Sequence, residues 1–153
     1  MALHATQPTD QRAILVPELL CSDLEVSLSF YVEILGFEVL YDRAEAKFAY
    51  LSRNGAELML EQVSEPADDE RSWLTASLET PYGRGVNFQI EVEDIDLLYG
   101  QVTTYQWPVF WPIEDKWYRV AAEEAGNRQF LVQDPDGYLL RLFEDLGVRK
   151  VVG

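Results

Sequence analysis

The fold is decided by the stretch Phe130-Leu131-Val132-Gln133-Asp134-Pro135-Asp136-Gly137-Tyr138-Leu139-Leu140-Arg141-Leu142-Phe143-Glu144, in which Asp-Pro-Asp-Gly joins two apolar runs. Pro135 presets φ for the first central position of a type I turn, and Gly137 readily takes the left-handed conformation that closes a hairpin. The stretch therefore predicts a β-hairpin whose turn is Asp134-Pro135-Asp136-Gly137.

A second hairpin is predicted earlier in the chain, in the stretch Leu51-Ser52-Arg53-Asn54-Gly55-Ala56-Glu57-Leu58-Met59-Leu60-Glu61. Its turn is Asn54-Gly55, and leucines follow Gly55 at the third and fifth positions, as they follow Gly137. Further upstream of each hairpin, a short apolar strand runs into an acidic cap and a helical apolar pattern. The chain therefore consists of two similar halves, each a strand, a helix and further strands that end in a hairpin.

The halves have approximate boundaries at 13–63 and 85–146, with a linker at 64–84. With 153 residues and 48% hydrophobic content, we expect a single domain, 1–153, made of two such modules. Residues 1–12, which include the only histidine, His4, form a polar arm.

The elements within the halves follow from their breakers and caps. The first strand, Ala13–Leu20, contains Pro17, which suits an edge strand. Ser22 or Asp23 caps the first helix, Gly36 ends it, and the second helix spans Asp94 to Tyr105. The prolines in the segment from Trp107 to Pro112 predict a strand that is short and interrupted.

The charge of the chain limits its partners. Its 27 acidic residues outnumber 12 basic ones, for a formal net charge of −15, which excludes nucleic acid and anionic membranes as expected partners. A single cysteine, Cys21, forms no intrachain disulfide and suits a reducing compartment. No apolar run approaches the ~18 residues of a membrane span, so we expect a soluble, cytoplasmic protein.

Four motifs carry a family resemblance, and they lie in order along the chain. They are Asp23-Leu24-Glu25-Val26-Ser27-Leu28-Ser29-Phe30-Tyr31, Leu35-Gly36-Phe37, Val92-Glu93-Asp94-Ile95-Asp96-Leu97-Leu98-Tyr99 and Asp134-Pro135-Asp136-Gly137. The set resembles the glyoxalase, bleomycin-resistance and extradiol-dioxygenase superfamily, also called vicinal oxygen chelate. The resemblance implies an α+β fold of paired βαβββ modules that form a curled mixed sheet around a central cup. Members of the family bind divalent metals for catalysis, or bind drugs without chemistry, and the fold alone does not decide between these functions.

Strand alternation predicts which side chains face the cup. In the strand Val86–Val92 the apolar residues face the helix, so Asn87, Gln89 and Glu91 face the cup. The hairpin strands direct a second set to the same side, namely Glu57, Met59, Glu61, Leu139, Arg141 and Phe143.

The ligand positions of the metal-dependent relatives, carried across by motif, fall on Val16, Met59, Asn87 and Arg141. None is a ligand suited to a hard or borderline divalent ion, and the Arg141 guanidinium would repel one. We therefore expect no metal and no cofactor. No nucleophile with a histidine base is present, so catalysis is not favoured, although a metal-dependent lyase or dioxygenase that uses Glu57, Glu61 or Glu91 stays open.

The hairpins are most similar to those of the bleomycin-resistance proteins, which the resemblance implies are strand-exchanged dimers that sequester a cationic drug at the subunit interface. The expected function is therefore metal-free binding of a planar, cationic small molecule by a homodimer, with a glycopeptide antibiotic as one candidate. The expected ligand-binding residues are Phe48, Tyr50, Met59, Glu61, Trp107, Trp111, Trp117, Tyr118 and Arg141. Drug binders carry Trp-Gly where this chain has Ala125-Gly126, so Trp117 or Tyr118 would have to supply the stacking ring. An acidic face that binds a basic protein is a third alternative.

Overall fold

The computed structural model describes residues 13–64 and 73–151. The predicted polar arm with His4 and the middle of the predicted linker lie outside the described residues. The described chain divides into two compact units, the first reaching Tyr82 and including Pro135–Gly137, the second comprising Gly83–Asp134 and the residues from Tyr138 onward. The boundary at Tyr82 falls inside the predicted 64–84 linker, and the expectation that both units form one domain stays a prediction.

The first unit is a βαβββ module. Its elements are β1 (Glu18–Cys21), α1 (Leu24–Leu28) with a π-helical continuation (Ser29–Ile34), β2 (Glu38–Arg43), β3 (Phe48–Arg53) and β4 (Ala56–Gln62). The sheet has the order β1-β4-β3-β2, in which β1 is parallel to β4 and the other pairs are antiparallel. Leu58 and Leu60 of β4 are buried with Phe30 and Tyr31 of the helical segment, so the helix covers one face of the sheet.

The second unit repeats this topology. Its elements are β5 (Asn87–Glu91), α2 (Ile95–Thr104), β6 (Val109–Val120), β7 (Glu123–Gln133) and β8 (Leu139–Lys150). The sheet order is β5-β8-β7-β6, with β5 parallel to β8. Leu140 and Leu142 are buried, as is Phe130, whose ring meets that of Tyr99 edge-on at 5.0 Å between centroids. The predicted α+β fold of paired βαβββ modules is confirmed.

The helix starts follow from acidic caps. Asp23 accepts a hydrogen bond from the Val26 N–H at 3.2 Å, and Asp94 accepts one from Leu97 N–H at 2.9 Å. Ser22, the alternative cap, instead donates its hydroxyl to Asp136 Oδ1 at 2.6 Å, while its N–H donates to Asp136 Oδ2 at 3.0 Å. The aspartate in the turn thus fixes the residue that precedes the cap of α1.

Three strands differ from their predicted extent. The first strand begins at Glu18 rather than Ala13, because Pro17 has no N–H to donate, although its carbonyl accepts from Met59 N–H at 2.8 Å. β6 is a continuous strand of 12 residues rather than a short, interrupted one. Pro112 is tolerated because β6 is an edge strand whose register shifts between Trp111 and Glu114. β8 continues to Lys150, past the predicted end of the second module.

Among the described residues, no helix combines the length and the apolar character that crossing a membrane would require.

The two hairpin turns give a matched test of backbone strain. Gly55 has φ +89° and Gly137 has φ +107°, but a Cβ on Gly55 would meet nothing within 4 Å, whereas one on Gly137 would lie 2.6 Å from the Pro81 Cα. We expect Gly55→Ala to reduce the free energy of unfolding by about 1 kcal/mol, because only the left-handed conformation is penalised. Gly137→Ala should reduce it by about 3 kcal/mol, since backbone must also move. Urea unfolding of both variants measures the difference, and equal losses would contradict the contact with Pro81.

Candidate functional site

An aromatic cluster lies on the face of the first sheet that the helix leaves uncovered. It consists of Tyr41, Phe48 and Tyr50. The Tyr41 ring stacks on Tyr50 at 5.1 Å between centroids with an interplanar angle of 17°, and lies 6.0 Å from Phe48. Phe48 and Tyr50 are buried, and Tyr41 is half-buried. Tyr41 is therefore the member of the aromatic cluster that a ligand can reach.

Tyr41 joins this cluster through a register shift. Val39 lies opposite Leu51, a core residue, but the shift between Val39 and Tyr41 places Tyr41 opposite Tyr50. Because residues directly opposite each other on neighbouring strands share a face, the bulge turns Tyr41 away from the core side.

Charged groups surround the aromatic cluster. Met59 lies between Glu57 and Glu61 along β4 and opposite Glu18 of β1. Glu57 is engaged within the unit, because its carboxylate accepts from the Tyr50 hydroxyl and, at 3.0 Å, from Ala13 N–H. The guanidinium carbon of Arg43 lies 4.0 Å from the centroid of the Phe48 ring, a cation–π contact.

The neighbouring Glu61 carboxyl raises the pKa of Glu18. A hydrogen bond from one carboxyl to the other, reinforced by partial burial and by repulsion from the Glu61 charge, raises the pKa of Glu18 to about 7, and Arg43 opposes this shift. Below about pH 7, Glu18 is therefore largely uncharged, and the uncovered face of the first sheet carries less negative charge than three ionised carboxylates would give it.

The second unit contains a concavity of about 280 Å³. It is lined by Gln89, Tyr118, Ala125, Asn127 and Arg141, and is called the Arg141 concavity below. The Tyr118 hydroxyl is held by the Gln129 side-chain amide, with Nε2 2.7 Å away, and lies 3.5 Å from Arg141 Nη1. Arg141 lies opposite Gln89 of β5 in the parallel pair.

Of the two aromatic residues expected to replace the missing tryptophan, only Tyr118 lines this concavity. It is the register partner of Ala125. Trp117, the residue before Tyr118 on β6, lies opposite Gly126, and a Cβ on Gly126 would come within 2.7 Å of the Trp117 ring. The Trp117 ring is covered by the Arg149 guanidinium, 3.9 Å from its centroid, and successive strand residues point to opposite faces, so Trp117 lies on the side away from the concavity.

The remaining tryptophans expected at the site have separate surroundings. Trp107 precedes β6 and donates its indole N–H to the Gln133 carbonyl at 2.9 Å, which is a contact within the second unit. Trp111 is 51% exposed and lies opposite Leu131, the residue that also lies opposite Arg141. Trp111 thus shares the side of the second sheet that carries Arg141.

The metal positions implied by the family resemblance do not form a metal site. The parallel pairings place Glu18, not Val16, opposite Met59, and Gln89, not Asn87, opposite Arg141. One pair combines a carboxyl with a thioether, and the other combines an amide with a cation, so neither fits a hard divalent ion. Among residues 13–64 and 73–151, no three His, Cys, Asp or Glu side chains form a group that could hold a metal.

An ion-pair network with shifted pKa values lies elsewhere in the second unit. Arg128 forms ion pairs with Asp96 at 2.9 Å and with Asp115 at 2.8 Å. The hydrogen bond from Arg128 lowers the pKa of Asp96, and the same two carboxylates raise the pKa of Arg128. Asp96 lies in the first turn of α2, so its ion pair with Arg128 links the helix to β7. None of these three residues lines the Arg141 concavity.

Sequence reasoning missed Tyr41, Arg43 and Asn127 as site residues. A signal was available for Asn127, because it alternates with Gln129 and Leu131 along a strand whose intervening residue Phe130 is apolar. No such signal was available for Tyr41 and Arg43, because their face depends on the register shift after Val39.

Two sequence comparisons relate most of this chain to known proteins. The family profile described as Glyoxalase/Bleomycin resistance protein/Dioxygenase superfamily matches residues 13–142. The chain is 28% identical over 142 residues to a protein named Bleomycin resistance protein from Geobacillus stearothermophilus, covering 86% of this chain and 96% of that protein.

Solved structures show the same fold. TioX from Micromonospora sp. ML1 matches 89% of this chain and 99% of its own with a TM-score of 0.64 at 23% identity. Lactoylglutathione lyase from Agrobacterium tumefaciens matches 89% of this chain and 96% of its own with a TM-score of 0.57 at 18% identity. At these identities the likeness concerns the fold alone.

The raised pKa of Glu18 predicts how stability depends on pH. Because the pKa of Glu18 in the folded protein, about 7, exceeds its ordinary value of 4.5, the stabilisation is complete below about pH 4.5 and is lost as the pH rises through about 7. Glu18→Gln should flatten this part of the curve, because glutamine stays neutral and can still donate to Glu61. Urea unfolding between about pH 5 and about pH 8 measures it, with Glu45→Gln, an exposed residue of the same unit, as the control. A wild-type curve that rises over this range would refute the raised pKa of Glu18.

Proposed function

Because the chain belongs to the Glyoxalase/Bleomycin resistance protein/Dioxygenase superfamily, we propose that it is a metal-free binding protein of bleomycin-resistance type. Its ligand is a planar, cationic small molecule, and a glycopeptide antibiotic of the bleomycin kind is one candidate. The relative named Bleomycin resistance protein, which aligns with 86% of this chain, supports this function over the enzymatic alternative.

One observation carries the proposal, namely that aromatic rings and carboxyls share the uncovered face of the first sheet. Tyr41 offers a reachable ring stacked on Tyr50, and Glu61 lies on the same face, opposite Phe48. Aromatic faces and carboxylates are the two groups that attract a planar cation. Such a ligand gains both from stacking and from the negative potential of a chain with a net charge of −15.

Arg43 bears on the choice of a cation in two opposite ways. Its guanidinium is itself a planar cation, and it rests on Phe48 beside the aromatic cluster. The face therefore already accommodates one group of the proposed class. A cationic ligand would be repelled by the Arg43 charge, so this residue limits the affinity.

A homodimer completes the proposal. Apolar side chains are exposed on the long strands of the second unit, including Phe110, Val120 and Val148, which are 56%, 59% and 63% exposed. Burial of such side chains against a second copy would be favourable, since each Å² of apolar surface removed from water contributes roughly 25 cal/mol. We propose that the ligand crevice lies at the interface between two copies.

Titration with proflavine, a planar fluorescent cation, and with bleomycin tests the ligand class. We expect Tyr41→Ala and Glu61→Gln each to weaken binding of proflavine about fivefold, equivalent to about 1 kcal/mol for a stacking or charge contact. Arg43→Gln should strengthen binding, because a competing positive charge is removed. Raising the salt concentration should weaken the electrostatic part and leave the stacking part unchanged. Fluorescence anisotropy of proflavine measures all of these effects.

Two variants control for general damage. Tyr105→Ala removes an exposed ring at the end of α2, and Glu25→Gln removes an exposed carboxylate from α1, so neither should change the affinity. A preference for anions over proflavine at this face, or an affinity that Tyr41→Ala and Glu61→Gln leave unchanged, would rule out the proposed ligand class.

The dimer has a separate test. Light scattering at micromolar concentration should give twice the mass of one chain. Val148→Glu places a charge on an exposed apolar strand position and should weaken association without unfolding the protein, whereas Leu97→Glu, at an exposed position of α2, should have no effect. A monomer at all concentrations would mean that the crevice, if present, forms within one chain.

A further inference from the structure

We propose that the Arg141 concavity is a binding subsite for a planar oxyanion, in its simplest form an aromatic carboxylate. The inference rests on the proposed small-molecule-binding function and deepens it, because it assigns to the second unit a ligand chemistry opposite to that of the first. The residues that carry it are Arg141, Gln89, Asn127 and Tyr118.

Arg141 has unused hydrogen-bonding capacity. Its Nε atom is buried and has no hydrogen-bond partner, and its contact with the Tyr118 hydroxyl is long, at 3.5 Å. Arginine stays protonated and offers five N–H donors in a planar fork that matches a carboxylate. A buried donor without a partner is destabilising, so a ligand oxygen at Nε would remove an existing cost.

No carboxylate of the described chain neutralises this charge. Two other arginines of the second unit are neutralised in this way, because Arg128 pairs with Asp96 and Asp115, and Arg149 pairs with Glu124. In the described residues, Arg141 forms no ion pair. A half-buried guanidinium left unpaired at a concave surface is therefore a position for an anion.

Acidic residues of the neighbouring strands lie on the same face as Arg141, but none of them lines the concavity. On β5, Glu91 shares the face of Gln89 but is exposed and lies opposite Phe143, one pair further along than Arg141. On β8, Asp145 shares the face of Arg141 but is exposed and accepts a hydrogen bond from the Gly147 N–H at 2.8 Å. On β6, Glu114 faces Gln129, whose Nε2 lies 3.4 Å from Glu114 Oε1. Leu131, the partner of Arg141 on β7, is apolar.

Two amides extend the row of donors. Gln89 and Asn127 line the same concavity, and within the described part of the chain neither side-chain amide forms a hydrogen bond. A side-chain amide carries an NH₂ donor, so these two residues and the Arg141 fork can all donate into one small volume that Tyr118 also lines. Donors that converge beside an aromatic ring are the complement of an aromatic acid.

The size of the concavity limits the occupant. At about 280 Å³ it lies near the lower end of ligand pockets, which span roughly 300 to 1,000 Å³. A one-ring or two-ring acid, or the acidic end of a larger molecule, is of the right size.

The test compares three probes that share a naphthalene ring, namely 2-naphthoate, 2-naphthamide and 2-naphthylmethylammonium. We expect 2-naphthoate to bind at least about tenfold more tightly than the other two, the factor expected for a charge-assisted hydrogen bond. Calorimetry gives the affinities. In ¹⁵N-labelled protein the side-chain Nε–H resonance of Arg141 should shift on addition of 2-naphthoate, which a purely structural arginine would not show.

Variants assign the effect to Arg141. Arg141→Gln should remove the preference for 2-naphthoate, and Arg141→Lys should retain part of it. Arg149→Gln removes the same charge from the same strand on the other face, where Arg149 covers Trp117, and should leave the preference intact. Equal affinity of 2-naphthoate and 2-naphthamide, or equal losses in Arg141→Gln and Arg149→Gln, would overturn the subsite.

The outcome separates this inference from the proposed function. If 2-naphthoate fails to bind while proflavine binds in a Glu61-dependent manner, the oxyanion subsite is wrong and the proposed function stands. If 2-naphthoate binds through Arg141 while proflavine does not bind, the subsite stands and the cationic ligand is wrong. If neither binds, both proposals fail.

Discussion

Each four-stranded sheet carries its helix on one face only, and this constraint determines what the opposite face can do. Leu140 and Leu142 are fully buried, and side chains alternate along a strand, so Arg141 must point the other way. Burial of each leucine contributes about 1.5–3 kcal/mol. A register slip of one residue would expose both leucines and bury the guanidinium, so core packing itself holds Arg141 toward the concavity. Met59 is fixed in the same manner between Leu58 and Leu60.

Irregularities in two strands then adjust this alternation on the uncovered faces. The shift after Val39 turns Tyr41 onto the same face as Tyr50, and without it Tyr41 would share the core side with Val39. A second shift, between Gly126 and Asn127, separates the pairing of Asn127 with Asp145 from that of Ala125 with Val148. Both bulges lie beside the aromatic cluster or the Arg141 concavity. Their positions agree with the general tendency of bulges to aim side chains at functional surfaces.

The sequence predicted the features that depend on local chemistry. Both hairpin turns, the Asp23 and Asp94 caps and the alternation of β5 follow from residues within a few positions of each other. Long-range partners could not be predicted, because the pairing of Ser22 with Asp136 joins residues 114 positions apart. Aromatic residues were predicted as a group from their spacing, but Trp117 and Tyr118 are neighbours on one strand, and only the observed register shows which one lines the concavity.

The two faces differ in the range over which their interactions act. A net charge of −15 attracts a cation from a distance, and this attraction is screened beyond about 8 Å at physiological ionic strength. The same charge repels an anion, so any affinity at Arg141 must come from short contacts that a salt solution does not screen. A fork of N–H donors against a carboxylate supplies such contacts, because its strength depends on geometry and on exclusion of water. If both proposals hold, the acidic chain favours fast capture of cations, whereas the Arg141 concavity selects for an anion only once that anion has been desolvated within it.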